Sequence, residues 1–307
     1  MSKEATRDGF GKAITELGKN KDVYVLTADL GGSTRVNTFK KKYPKRFIQV
    51  GVAEQNLVTV ASGLAKMNKK PFATTFAAFS PGRNWEQIRT TICYNDVPVK
   101  ICSTHAGLGV GEDGATHQML EDIAMMRALP NMIVISPCDS NQAYQATKAI
   151  YKKDKPCYLR LNRQKTETLS NNQKFEIGKA QIFNKGQKIT LITTGPPTIT
   201  AAEAVLKLEN EGISVEHINI HTIKPIDKKT IIKSAKKTGK IMTVEDHQIN
   251  GGLGDAVANV LGQNHPTKIK IHGVKDTFGE SGTYEQLYDK YGLSSQKIYD
   301  EIKQFLK

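Results

Sequence analysis

VKICSTHAGLGVGEDGATHQ, residues 99–118, joins a short apolar run to a glycine-rich segment holding His105, Glu112, Asp113 and His117. The run reads as a strand, and the remainder as the loop at its carboxyl end. In a parallel sheet that is where binding sites are built. A flexible connector crowded with titratable groups makes a poor structural link, and such groups gather in functional clefts, so the segment reads as a site.

Outward from this stretch the pattern repeats. VYVLTA, FIQVGV, PFATTF, MIVISP and CYLRL are strand-like, and NLVTVASGLAKM and NQAYQATKAIYKK have helical spacing. Alternation of this kind predicts a parallel sheet, and nearly continuous apolar strands predict helices on both of its faces. After Arg163 the chain turns polar, QKTETLSNNQKFEIGKAQ, before KITLITTG opens a second β/α series that runs through SVEHINI, KIMTVED and GGLGDAVANVLG. The expected class is α/β, with two three-layer domains at residues 1–163 and 180–307 joined by a linker at 164–179.

At 307 residues and 38% hydrophobic content, the composition is that of a folded globular chain long enough for two domains. No apolar stretch is long enough to span a bilayer and MSKEATRDGF has no apolar signal core, so the expectation is a cytoplasmic protein without a membrane. Cys93, Cys102, Cys138 and Cys157 lie far apart without zinc-ligand spacing and read as reduced structural thiols. The net charge of +14 is spread over scattered lysines and reads as a solvated basic surface. No nucleic-acid-binding motif accompanies it, and a non-enzymatic nucleic-acid module ranks last.

Two other spots carry chemistry. Glu54, in VGVAEQNL, sits between a strand and a helix, where an acid can equally serve a site or the helix dipole. Phe76 and Phe79, in PFATTFAAFS, read more readily as core than as a cofactor wall and alone decide nothing.

In order along the chain, these pieces resemble the transketolase family over nearly the whole length. ATRDGFGKAI, TADLGGST, GVAEQN and TFAAF match its pyrimidine-binding domain. GEDGATHQMLEDIAMMRALPN and LNRQ are the most specific matches, and IKPID with TVEDHQINGGLG resembles the superfamily's smaller carboxy-terminal domain. The resemblance implies thiamine diphosphate as cofactor and a catalytic role for Glu54, facing the pyrimidine ring nitrogen. A glutamic acid sharing its proton with that nitrogen makes the cofactor's own amine basic enough to deprotonate its reactive carbon. It implies that Phe76 and Phe79 pack on the pyrimidine, and that Arg7, Ser33, His105 and Arg163 hold the phosphate of a sugar substrate through guanidinium forks, a hydroxyl and an imidazole. By the same resemblance Asp113 meets the α-hydroxyl of the aldehyde acceptor, and His117 is a second catalytic candidate near the donor's terminal hydroxyl. Asp29 is expected to orient Arg7 or the cofactor edge. SPGRNW departs from the family, which places a further aromatic there.

The family's amino-terminal part carries a glycine-aspartate-glycine motif and a downstream asparagine for Mg²⁺ and the diphosphate. EDG at Glu112–Gly114, with Asn141 later, imitates it without the leading motif, so no metal ligand is expected here. The expectation is thus the carboxy-terminal subunit of a split transketolase of the pentose phosphate pathway. It would self-associate and be active as a heterotetramer with an amino-terminal subunit that binds most of the Mg²⁺. Its reaction would be reversible ketol transfer from a ketose phosphate to an aldose phosphate. The rivals are a 2-oxo-acid dehydrogenase β subunit and a deoxyxylulose-phosphate synthase-like enzyme, against which His105, the GEDGATHQ segment and the NRQ motif weigh.

Overall fold

The computed structural model describes residues 3–171 and 173–307. Helix α1 (Thr6–Leu17) precedes a sheet built from β1 (Val23–Thr27), β2 (Phe47–Gln49), β3 (Lys70–Phe76), β4 (Lys100–Thr104), β5 (Ile133–Ile135) and β6 (Cys157–Arg160). Helices α2 (Glu54–Lys66), α3 (Asp122–Ala128) and α4 (Ser140–Tyr151) fall between these strands. All six strands pair in parallel, in the spatial order β5-β6-β4-β3-β1-β2. Every residue of β4 and β6 is buried, as central strands covered on both faces require.

One helical layer places Ile88, Ile92, Leu57, Val58 and Met126 against Leu26, Ala73 and Ile101. The opposite layer packs Phe10, Ile14 and Ile150 against Val25, Phe72 and Leu159. Each large aliphatic or aromatic side chain buried in this way contributes on the order of 1.5–3 kcal/mol. Local chemistry sets the helix starts: the Asp139 carboxylate accepts the Gln142 N–H at 2.8 Å and caps α4.

The second sheet is β7 (Gln181–Asn184), β8 (Ile189–Thr193), β9 (Val215–Asn219), β11 (Lys240–Gln248) and β12 (Lys268–Val274), in the order β12-β11-β8-β9-β7. It too is parallel except for the edge strand β7. Helices α5 (Pro197–Asn210), α6 (Lys228–Thr238), α7 (Leu253–Asn264), α8 (Tyr284–Lys290) and α9 (Ser295–Leu306) cover its faces. Both layers of helices over both sheets agree with the α/β class read from the sequence.

The missing strand, β10 (Thr222–Lys224), belongs to the first sheet. It runs antiparallel along β5, so IKPID carries part of the second β/α series back to the first sheet's edge. The polar stretch after Arg163 is also anchored, since Lys165–Thr166 pairs antiparallel with Glu4–Ala5. Among the described residues no helix is long and apolar enough to cross a membrane.

Candidate functional site

Strand register creates the site. Phe76 pairs with Thr104, so β3 and β4 end side by side and release their next residues at the same level. His105 follows with φ 58°, a left-handed conformation uncommon for a non-glycine residue. Its ring stacks on Phe76 with centroids 3.7 Å apart. Its Nε2 lies 3.0 Å from Arg7 Nη1 and its Nδ1 lies 2.8 Å from Thr104 Oγ1. A guanidinium only donates, so Nε2 accepts, and the ring proton sits on Nδ1. Burial first, then Arg7 and Arg163, pushes the His105 pKa down to about 3, in keeping with a neutral acceptor.

Arg7 enters from the first turn of α1. Its Nη1 also donates to the Ser33 carbonyl at 3.1 Å, while its buried Nε has no partner. No described carboxylate pairs with it. Burial, with repulsion from Arg35, lowers its pKa to about 10. Arg35 is itself held by Asp8 at 2.7 Å. The site thus keeps a partly desolvated cation with unused donors, the arrangement an anionic ligand satisfies.

From His105 an aromatic strip runs outward. The Phe76 and Phe79 rings stack with centroids 5.7 Å apart, and His117 meets Phe79 edge-on at 5.6 Å. The exposed Arg83 guanidinium lies 4.1 Å from the Phe79 ring centroid, and its Nη1 reaches the two Glu54 carboxylate oxygens at 3.3 and 3.5 Å. Glu54 is the first residue of α2, at the positive end of the helix dipole, with a side chain only 4% exposed. Asn84 Nδ2 fixes its backbone by donating to the Glu54 carbonyl at 2.8 Å. The carboxylate opens onto a cleft of about 600 Å³ lined by Val52, Ala53, Gln55, Asn56 and Arg83.

The segment 103–118 is pinned rather than flexible, contrary to its glycine content. Residues 103–111 are buried, and Leu108–Asp113 forms a 3-10 turn. Asp246 of the second sheet accepts the Leu108 N–H at 2.9 Å, and Tyr288 donates to the same carboxylate at 3.1 Å. Gly107, at φ 77°, lies so close that a Cβ there would stand 2.1 Å from Asp246 Oδ2. Gln118 Nε2 donates to the Glu280 carbonyl at 2.9 Å. Behind the loop, Arg160 is buried against Asp122 at 2.8 Å and donates to the carbonyls of Met119 and Asp246 at 3.2 and 2.9 Å. The second sheet therefore acts as a brace for the loop.

Most of the residues singled out in the sequence fall along this strip. Arg7, His105, Phe76, Phe79 and His117 are in contiguous contact, and Arg83 extends the chain to Glu54. Ser33 joins through its carbonyl rather than its hydroxyl. Arg163 pairs with Glu112 and Asp113, both at 3.5 Å, and donates to the Val110 carbonyl at 2.6 Å. Glu112 and Asp113 are therefore tied to a guanidinium, and Asn141 is engaged with Ser170. Asp29 does not orient Arg7: its backbone N–H and carboxylate both engage Gln49, at 2.7 and 3.3 Å. Arg83, Thr104, Asp246 and the Arg160–Asp122 pair escaped the sequence reading. For Arg83 there was a signal, the break in aromatic pattern at SPGRNW. The others act across long sequence separations that spacing does not reveal.

Residues 2–168 match the model of the transketolase pyrimidine-binding domain, and residues 178–298 match that of the transketolase C-terminal domain. The chain belongs to the transketolase family. A protein of Methanocaldococcus jannaschii provisionally named a transketolase C-terminal section is 45% identical over 306 residues, covering 98% of this chain and 96% of its own length. The 6-deoxy-6-sulfo-D-fructose transketolase subunit SqwH of Clostridium sp. (strain MSTE9) is 37% identical, covering 95% of this chain and 91% of that one. A solved structure described as a split gene transketolase, inactive beta4 tetramer, superposes with a TM-score of 0.90 at 41% identity over 99% of both chains. Transketolase membership makes this chain a transketolase subunit and implies dependence on thiamine diphosphate.

Proposed function

We propose that this chain is the carboxy-terminal subunit of a split transketolase, transferring a two-carbon ketol unit reversibly from a ketose phosphate to an aldose phosphate. The observation that carries the substrate reading is Arg7, half-buried, without a carboxylate partner among the described residues and with an unpartnered Nε beside neutral His105. A buried cation of this kind is stabilised by a dianion that accepts its free donors. A sulfonate offers similar acceptors, and the name of the Clostridium relative gives a sulfonated ketose as its substrate. Arg7 would therefore suit an anionic ketose, and phosphate is the anion proposed for this chain.

The pyrimidine of thiamine diphosphate suits the residues present: a flat ring matches the Phe76–Phe79 pair, and a buried carboxylate at an open cleft matches a ring nitrogen. When bound, the cofactor supplies the carbon nucleophile that carries the two-carbon unit. Glu54 would hold the proton at the ring nitrogen. His117, edge-on to Phe79, would stand at the donor sugar's hydroxyl, and Asp113, oriented by Arg163, at the acceptor's α-hydroxyl. The braced loop would keep His117 and Asp113 in register, and such positioning is a large part of a catalyst's rate advantage.

The diphosphate and Mg²⁺ would be held by an amino-terminal subunit, in a heterotetramer of two chains of each kind. The support is the likeness to a chain described as a split gene transketolase and to a relative named as a subunit, each matching this chain over nearly its whole length. The reading is tested with Glu54→Gln in the assembled enzyme, which keeps the shape and removes the proton-sharing group. Proton–deuterium exchange at the cofactor's reactive carbon should drop sharply while the protein stays folded. Exchange at the wild-type rate would sink the assignment.

A further inference from the structure

We propose that Arg83 is a latch on the pyrimidine site. It pairs with Glu54 and lies over Phe79, and it would swing outward for the cofactor to enter. The proposal rests on the reading that Glu54 and Phe79 face the pyrimidine. Its basis is that one side chain satisfies both groups at once: the guanidinium stands 4.1 Å from the Phe79 centroid and 3.3 and 3.5 Å from the Glu54 oxygens. A pyrimidine stacked on Phe79 with a nitrogen on Glu54 would compete with Arg83 for the same ring and the same carboxylate.

The surrounding backbone leaves the side chain as the moving part. Arg83 N donates to the Phe79 carbonyl at 3.0 Å, Gln55 donates to the Arg83 carbonyl at 3.4 Å, and Asn84 holds the Glu54 carbonyl at 2.8 Å. Gly82 is locked in a turn so tight that a Cβ would stand 2.0 Å from the Ala78 carbonyl oxygen. The Arg83 side chain, by contrast, is 52% exposed, and its contacts to Glu54 are longer than a good charge-assisted hydrogen bond. Its purpose follows from Glu54, whose nearly buried carboxylate at an open cleft has no other ionic partner among the described residues. A buried charge left alone is costly, and the latch supplies a counter-charge until the cofactor arrives.

The test uses Arg83→Met, which keeps the length and apolar stem and removes the charge. Calorimetric titration of thiamine diphosphate with Mg²⁺ into the assembled enzyme should give about two- to fivefold tighter binding for the variant, the range set by a half-exposed ion pair. The isolated variant should also show a lower melting temperature than the wild-type chain. Unchanged or weaker cofactor binding in Arg83→Met, while Glu54→Gln still suppresses exchange at the reactive carbon, overturns the latch and leaves the functional reading standing. Normal exchange in Glu54→Gln overturns both.

Discussion

Replacing Arg7 with methionine separates binding from folding more cleanly than any other change in the site. Arg7 donates one Nη1 to the Ser33 carbonyl and to His105 and leaves its buried Nε without a partner. Its charge is opposed by burial and by Arg35, and no described carboxylate pairs with it. Methionine keeps the apolar stem and relieves the repulsion from Arg35, which offsets part of the cost of leaving the Ser33 carbonyl and His105 Nε2 without a donor, so the protein alone should lose only about 1 kcal/mol. The bound anion loses charge-assisted hydrogen bonds worth roughly 1.5–3 kcal/mol. In kcat/KM for a phosphorylated ketose that is a fall of about ten- to hundredfold. An unphosphorylated ketose, lacking the dianion, should lose less than about threefold. The assay is steady-state kinetics on both substrates in the assembled enzyme, with melting temperature as the control. Equal losses on the two substrates, or a melting temperature several degrees lower, would show that Arg7 serves the fold and not the anion.

The loop and the buried histidines supply two more tests. Gly107→Ala combines a positive φ with a Cβ 2.1 Å from Asp246 Oδ2, so urea denaturation should show a loss of about 1–3 kcal/mol; wild-type stability would mean the loop is not pinned as described. His105 and His217, at about 3, and His221 and His247, at about 4, are held neutral mainly by burial. Each adds stability that is fully present above about pH 6.5 and is lost as pH falls toward its folded value, because the unfolded chain then binds more protons, at up to about 1.4 kcal/mol per pH unit. Glu245, raised by burial to about 7, acts in the opposite sense, as do Glu121 and Asp246, also raised by burial, whereas His272, lowered by burial, joins the other four histidines, which outnumber the raised acids. Thermal unfolding should therefore shift to lower temperature between pH 6.5 and 4.5, and a flat profile would contradict the neutral burial of these rings.

The sheet and the chemistry were readable in the sequence to different depths. Continuous apolar runs such as VKICS and CYLRL announce central parallel strands because both faces must be buried, and β4 and β6 are buried throughout. β10 was hidden where Thr222 runs into IKPID, since three residues carry no period and edge pairing depends on a partner some 90 positions upstream. Histidines and acids at the end of β4 marked the site, but glycine content suggested a mobile loop. The structure uses that glycine for close approach to Asp246, a contact 139 residues away in the chain. Arg83 was visible only as a departure from an aromatic pattern. Its pairing with Glu54 depends on the tight turn at Gly82, which sequence spacing does not specify.

The most direct measurement of the central claim is a titration of a purified amino-terminal transketolase subunit into this chain, with thiamine diphosphate and Mg²⁺ present, following two-carbon transfer between sugar phosphates. A chain that contributes Glu54, the aromatic strip and the anion site, but relies on a partner for the diphosphate and metal, should have negligible activity alone. Its activity should rise linearly with added partner and saturate at an equimolar ratio. Robust transfer by this chain alone, with contamination excluded, would contradict the account.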